Sequence, residues 1–108
     1  MDLAVSCYRL TGGFPRAEMF GMTSQIRRAS SSIAANIAEG YGRQSTGSYV
    51  HFLRVAQGSL KELETYLLLA QRVGIAYADA VAGPLESCES VGRKLVALVR
   101  SLERESRA

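Results

Sequence analysis

Residues 49–70 read Tyr49-Val50-His51-Phe52-Leu53-Arg54-Val55-Ala56-Gln57-Gly58-Ser59-Leu60-Lys61-Glu62-Leu63-Glu64-Thr65-Tyr66-Leu67-Leu68-Leu69-Ala70. Tyr49, Leu53, Ala56, Leu60, Leu63, Leu67 and Ala70 follow one another at alternating steps of four and three. Such a heptad alternation draws one apolar seam along one side of a long helix. Ser45 or Thr46 offers an N-cap hydroxyl and Gly74 a stop, so the spacing predicts a helix over residues 46–73. Upstream, Met22, Ile26, Ala29, Ile33, Ile37 and Gly40 trace a second stripe, predicting a helix over 19–41 closed by Gly40-Tyr41-Gly42. Downstream, Val81, Leu85, Cys88, Val91, Leu95, Leu98 and Leu102 predict a third over 78–105, with Gly83-Pro84 either kinking it or marking its true start. Leu3, Cys7 and Leu10 give a short helix over 2–11. Thr11-Gly12-Gly13-Phe14-Pro15 is expected to stop it through a left-handed glycine and a residue pushed out of the α region by proline. No alternating strand pattern or Asn-Gly turn occurs. Short connections between long amphipathic helices make antiparallel neighbours. The expectation is an all-α, up-down-up-down four-helix bundle, a single domain over residues 1–108 with a short first helix.

Composition agrees with a folded helical domain. Hydrophobic residues make up 47% of the 108 and charged residues 21%, which is too apolar for a disordered tail. The longest apolar run, Tyr66–Ala70, falls far short of the ~18 residues of a membrane span. The N-terminus has no basic region ahead of an apolar stretch, so neither secretion nor a lipoprotein anchor is expected, and the location expected is cytoplasmic. Cys7 and Cys88 stand isolated, read as two reduced thiols packed as small hydrophobes, with a disulfide between them as the alternative.

The second helix carries the most information. Opposite its stripe lie Gly21, Ser24, Ser31, Ser32, Ala35 and Ala38, with Arg28 and Glu39 as the only charges. A solvated helix face would show Lys, Glu and Gln there; small residues instead let a second backbone approach. Leu68 and Leu69 likewise spill off the seam of the third long segment. One chain of this size cannot cover all these faces, so a homo-oligomer is expected. Asn36, at the edge of the stripe, needs partners from a neighbouring helix or the glycine loop.

Catalytic readings fail on inventory. His51 is the single histidine, on the polar side of its helix. Di-iron bundles need paired Glu-x-x-His motifs and zinc needs a ligand set, and both are missing. A Ser-His-Asp triad through His51, Ser45 or Ser48, and Asp2 or Asp79 has no support in the spacing. Gly42-Arg43-Gln44-Ser45-Thr46-Gly47-Ser48 has the glycine spacing of a phosphate loop without its lysine or preceding strand, and is read as a turn with an N-cap; its backbone donors beside Arg43 could hold an anion. No cofactor and no enzymatic activity are expected. Charge is uneven: residues 1–54 hold six basic and three acidic side chains, and residues 55–108 seven of each. The excess falls on Arg16, Arg27, Arg28 and Arg43. A lone chain at +3 is a weak nucleic-acid binder, whereas an oligomer aligns such charges. No aromatics interleave the arginines, which disfavours base-specific readout of a single strand.

Phe20-Gly21-Met22-Thr23-Ser24-Gln25-Ile26-Arg27-Arg28-Ala29, followed by Ile33-Ala34-Ala35-Asn36-Ile37-Ala38-Glu39-Gly40-Tyr41-Gly42-Arg43, closely resembles the bacterial four-helix bundle protein family. That family is also labelled by its occurrence in intervening sequences of 23S ribosomal RNA genes. Phe52-Leu53, Gly58-Ser59-Leu60, Glu62-Leu63-Glu64-Thr65, Gly92-Arg93 and Leu98-Val99-Arg100-Ser101-Leu102 extend the likeness over nearly the whole chain. The resemblance implies a four-helix bundle that assembles as a homopentamer without enzymatic activity. A relative, the accessory protein of diversity-generating retroelements, is implied to bind nucleic acid and a reverse transcriptase through a basic pentameric barrel. The family pattern has a longer first helix with a Trp-containing segment ahead of the part matched by Met1–Leu10; that segment is missing here, either genuinely or because an internal methionine was taken as the start.

The expected function is thus a pentameric scaffold or adaptor with RNA or DNA as its macromolecular partner and no membrane association. Arg27, Arg28 and Arg43 are the expected phosphate contacts. Ser31, Ala35, Asn36, Ala38, Glu39 and Gly40 are expected at the turn, the helix packing and the oligomer interface. A small-molecule binder or enzyme with its site between protomers, and a protein-interaction module without nucleic acid, are the alternatives.

Overall fold

The computed structural model describes the backbone of residues 1–107 and the side chains of residues 1–106. Four helices run along the chain: α1 (Asp2–Thr11), α2 (Met22–Tyr41), α3 (Thr46–Arg72) and α4 (Ala78–Arg107), with a short 3-10 turn at Arg16–Glu18 before α2. No strand occurs among the described residues. α1 packs on α2 and α4, α2 on α3, and α3 on α4, while the diagonal pairs do not approach. This is a four-helix bundle, extending 51 × 22 × 18 Å. At 1.5 Å per residue, α1 spans only ~15 Å against ~30, ~40 and ~45 Å for its neighbours. The corner that α1 occupies is therefore filled along part of its length only.

The helix ends follow local chemistry. Ser45 caps α3, its Oγ accepting from the Ser48 N–H at 3.1 Å. Gly74, at φ 81°, is the single positive-φ residue described. Around it the Ile75 N–H donates to the Ala70 carbonyl at 2.9 Å and the Gly74 N–H to that of Gln71 at 3.1 Å, the paired bonds of a Schellman stop. Elsewhere one expected stop is corrected. Gly12 closes α1 in right-handed conformation at φ −60° instead of the expected left-handed one, whereas Gly42, at φ −78°, closes α2 where it was expected. α2 begins at Met22, because Pro15 and the 3-10 turn occupy the preceding residues. α4 begins at Ala78 and runs through Pro84; at that place in the chain the missing N–H costs one hydrogen bond and the helix tolerates it.

The predicted seam is the core. Leu53, Ala56, Leu60, Leu63, Leu67 and Ala70 of α3 are buried against Ile26, Ala29 and Ile33 of α2, Leu3 and Cys7 of α1, and Cys88, Leu95 and Val99 of α4. Gly40 sits where α2 meets α3: a Cβ there would lie 2.9 Å from the Phe52 Cβ and 3.2 Å from the Tyr49 carbonyl oxygen. The close helix approach needs a residue without a side chain.

Candidate docking groove and basic surface

α1 is short, and its second face explains the exposed small residues of α2. Leu3, Cys7 and Thr11 point into the core, whereas Ala4, Val5 and Tyr8 lie off that stripe toward α2. Together with Met1 and Arg9 they form one wall of a groove of about 660 Å³. Ser31, Ala34, Ala35 and Ala38 form the other wall. Met1 is 85% exposed, and Val5 and Tyr8 are both more than 40% exposed. Among the described residues the only charged side chain lining the groove is Arg9. Ser31, Ala35 and Ala38 are thus gathered as one patch, facing outward beside α1.

Asn36, Glu39 and Gly40, expected at the turn, the helix packing and the interface, lie off this patch. Gly40 is buried within the chain against Tyr49 and Phe52. Asn36 is half-buried, and its Nδ2 donates to the Ser32 carbonyl at 2.8 Å and to Ser32 Oγ at 3.1 Å, so its partners come from its own helix. Ser32, assigned from the wheel to the outer face, instead shares a 2.9 Å hydrogen bond with Ser59 of α3. That flank of α2 therefore faces α3. Glu39 is exposed and ion-pairs with Arg43.

The three arginines differ in how far they are occupied. Arg28 binds Glu62 of α3 at 2.5 Å and Gln25 at 3.0 Å; the Glu62 hydrogen bond pushes its guanidinium above its ordinary pKa. Arg43 pairs with Glu39 and lies 4.7 Å from the centre of the Phe52 ring. Arg27 carries no carboxylate partner among the described residues. Its Nε donates to Thr11 Oγ1 at 2.8 Å, and its Cζ sits 4.8 Å from the centre of the Tyr8 ring. Arg28 and Arg43 therefore present largely compensated charge, and Arg27 presents a fixed, uncompensated one.

Cys7 and Cys88 are both free and fully buried. Burial lifts the Cys7 thiol to about 11, partly offset by the neighbouring Ser30 and Ser6 hydroxyls. Burial first, then the neighbouring Cys7 and Glu64 charges, lift Cys88 to about 12. Thiols held neutral in this way are poor nucleophiles and poor metal ligands. His51 is exposed at the edge of the Phe52 ring. Among the described residues no group of three or more His, Cys, Asp or Glu is placed to hold a metal ion, and no helix is long and apolar enough to cross a membrane.

The far wall of the groove was not legible as a site. Ala4, Val5 and Tyr8 did carry a signal, an apolar pair and an aromatic off the Leu3–Cys7 stripe, but on a ten-residue helix two faces are hard to tell apart.

Fold and site together define an all-α bundle with one truncated corner and an open apolar groove beside it. The chain belongs to the 23S rRNA-intervening sequence protein family, whose model matches residues 1–97. It is also similar to a crystal structure from Bacteroides thetaiotaomicron, described as a protein of unknown function from the S23 ribosomal protein family. The two share 24% identity over 91% of this chain and 92% of the other, with a TM-score of 0.81, a likeness of fold. No curated protein matches the chain. Neither the family description nor that of the neighbour names a catalytic activity.

Proposed function

We propose that the protein is a non-enzymatic scaffold that assembles from identical copies, as a pentamer, and binds RNA or DNA through the basic surface the assembly creates. The groove between α1 and α2 carries this reading. Its walls are apolar, its α2 side consists of Ser31, Ala34, Ala35 and Ala38, and small residues of that kind admit a neighbouring helix at backbone distance. Burying Val5, Tyr8 and Met1 in a subunit contact removes apolar surface from water at about 25 cal/mol per Å². A ring repeats each exposed arginine around its axis, so five copies of a chain at +3 concentrate a charge that one copy disperses.

Light scattering at micromolar concentration tests the assembly; a monomeric mass overturns it. Fluorescence anisotropy with labelled RNA and DNA at ~50 and ~200 mM salt tests the partner. Between those salts, affinity falls roughly 10-fold for two engaged arginines and roughly 500-fold for five, from the ~0.9 counterions released per phosphate contact. No binding at either salt removes the nucleic-acid reading.

A second reading has its own support. A volume of about 660 Å³ lies within the range of small-molecule sites, and Tyr8 and Arg9 place polar groups at its rim. A small apolar ligand retained by the purified protein, with the protein monomeric, would favour it.

A further inference from the structure

A second, smaller cavity lies at the other end of α1, where the chain turns back into α2. It has a volume of about 210 Å³, and its walls include Thr11, Phe14, Arg16, Met19, Thr23 and Arg27. Among the described residues two that bear guanidinium groups line it and none that bears a carboxylate does. Arg27 is held rigidly: Nε is tied to Thr11 Oγ1 at 2.8 Å, the Thr11 hydroxyl is itself tied to the Cys7 carbonyl at 2.8 Å, and the Tyr8 ring covers one guanidinium face at 4.8 Å. Those contacts use Nε and one π-face. They leave both terminal amino groups of Arg27 without a hydrogen-bond or ion-pair partner among the described residues. Thr23 is only 8% exposed, and its hydroxyl makes no hydrogen bond within the described residues although the side chain borders the cavity. The nearest acid in sequence, Glu18, is engaged with the backbone: its Oε1 accepts from the Met22 N–H at 3.3 Å, so the start of α2 is already capped and does not compete for a ligand.

The geometry points to a phosphate-binding seat in this cavity, with Arg27 and Arg16 meeting the charge and Thr23 donating a hydroxyl hydrogen bond. A guanidinium offers paired N–H donors that match two phosphate oxygens, and one whose rotamer is already fixed loses little entropy on binding. Thr23, nine-tenths buried, supplies a donor that is otherwise unused. Phe14 and Met19 add apolar walls beside these polar groups. The seat deepens the proposed function and rests on it for the source of the ligand, a nucleic-acid backbone phosphate. The chemistry itself is tested without nucleic acid.

The experiment is a titration of the full chain with inorganic phosphate, followed by 1H–15N NMR of the Arg27 Nε–H and the Thr23 amide, at constant ionic strength maintained with chloride. Saturable shifts at both are expected. Arg27→Lys keeps the charge but removes the fork and the Thr11 bond, and should weaken phosphate at least 10-fold. Arg16→Ala should weaken it several-fold. Arg100→Ala, distant in sequence and exposed on α4, should leave it unchanged. Absence of saturation, or equal weakening by Arg100→Ala, overturns the seat. A second arm adds a short oligonucleotide. Phosphate bound at Arg27 with no oligonucleotide bound supports the seat and defeats the nucleic-acid reading. Oligonucleotide bound with Arg27 and Thr23 unshifted keeps that reading and defeats the seat.

Discussion

Replacing Gly40 by alanine tests the closeness of α2 and α3 directly. A Cβ at this position lies 2.9 Å from the Phe52 Cβ, 3.0 Å from Tyr49 Cδ1 and 3.2 Å from the Tyr49 carbonyl oxygen. Two of those three atoms belong to the rigid part of α3, so the clash is relieved only by moving a helix. Overpacking of this kind costs about 1–3 kcal/mol. Alanine also gains helix propensity over glycine, about 1 kcal/mol in a helix interior, but Gly40 stands one residue from the end of α2 and recovers only a fraction of that. The clash wins, leaving a net loss of about 1–2 kcal/mol and a Tm lower by about 4–8 °C for a chain of this size. Gly58→Ala is the matched control. Gly58 is in mid-α3, exposed, with nothing within 4 Å of its would-be Cβ, so alanine there should stabilise by about 0.5–1 kcal/mol. Urea unfolding followed by circular dichroism, at one fixed protein concentration because assembly adds to apparent stability, reads both. If Gly40→Ala stabilises the protein as Gly58→Ala does, the close approach of the two helices is wrong.

Ala35→Arg places a long charged chain in the wall of the groove; the mass by light scattering should fall to that of a monomer with helical content retained, and an unchanged mass would count against α2 as the contact. Alkaline stability should reflect the two buried thiols. Their folded-state pKa values, about 11 and about 12, lie above the ordinary 9.0; the unfolded chain therefore ionises first, and the stabilisation present below pH 9 is lost as pH rises, at up to about 1.4 kcal/mol per pH unit for each thiol. Comparing urea midpoints at pH 8 and 10.5 for the parent and a Cys7→Ala/Cys88→Ala variant isolates this from lysine and tyrosine titration, and equal slopes would refute it. Ser45→Ala removes the acceptor for the Ser48 N–H and should cost about 0.5–2 kcal/mol in the same assay.

Helix periodicity made the bundle legible because a buried stripe must recur at the helical period. The seam from Leu53 to Ala70 is buried as the spacing required, and the Ile26–Ala29–Ile33 stripe faces it. Local rules also located the Ser45 cap and the Gly74 stop, since each depends on residues within one turn. Gly12 closes α1 in right-handed conformation where a left-handed glycine was expected, and Pro84 does not mark the start of α4, which runs through it from Ala78.

What the linear order could not contain is which residues meet across helices. The small-residue face of α2 was visible, but its companion wall of Ala4, Val5 and Tyr8 depends on how α1 leans. Wheel geometry put Ser32 outside, and the packing of α3 on α2 brings it onto Ser59. Three arginines read as equivalent charges became one free and two neutralised, because Glu62 lies on another helix, Glu39 one turn away, and Thr11 sixteen residues back. Periodicity acts over a few residues and is written in the chain itself; pairing, burial of charge and the shape of a cavity arise only when helices far apart in sequence settle against each other.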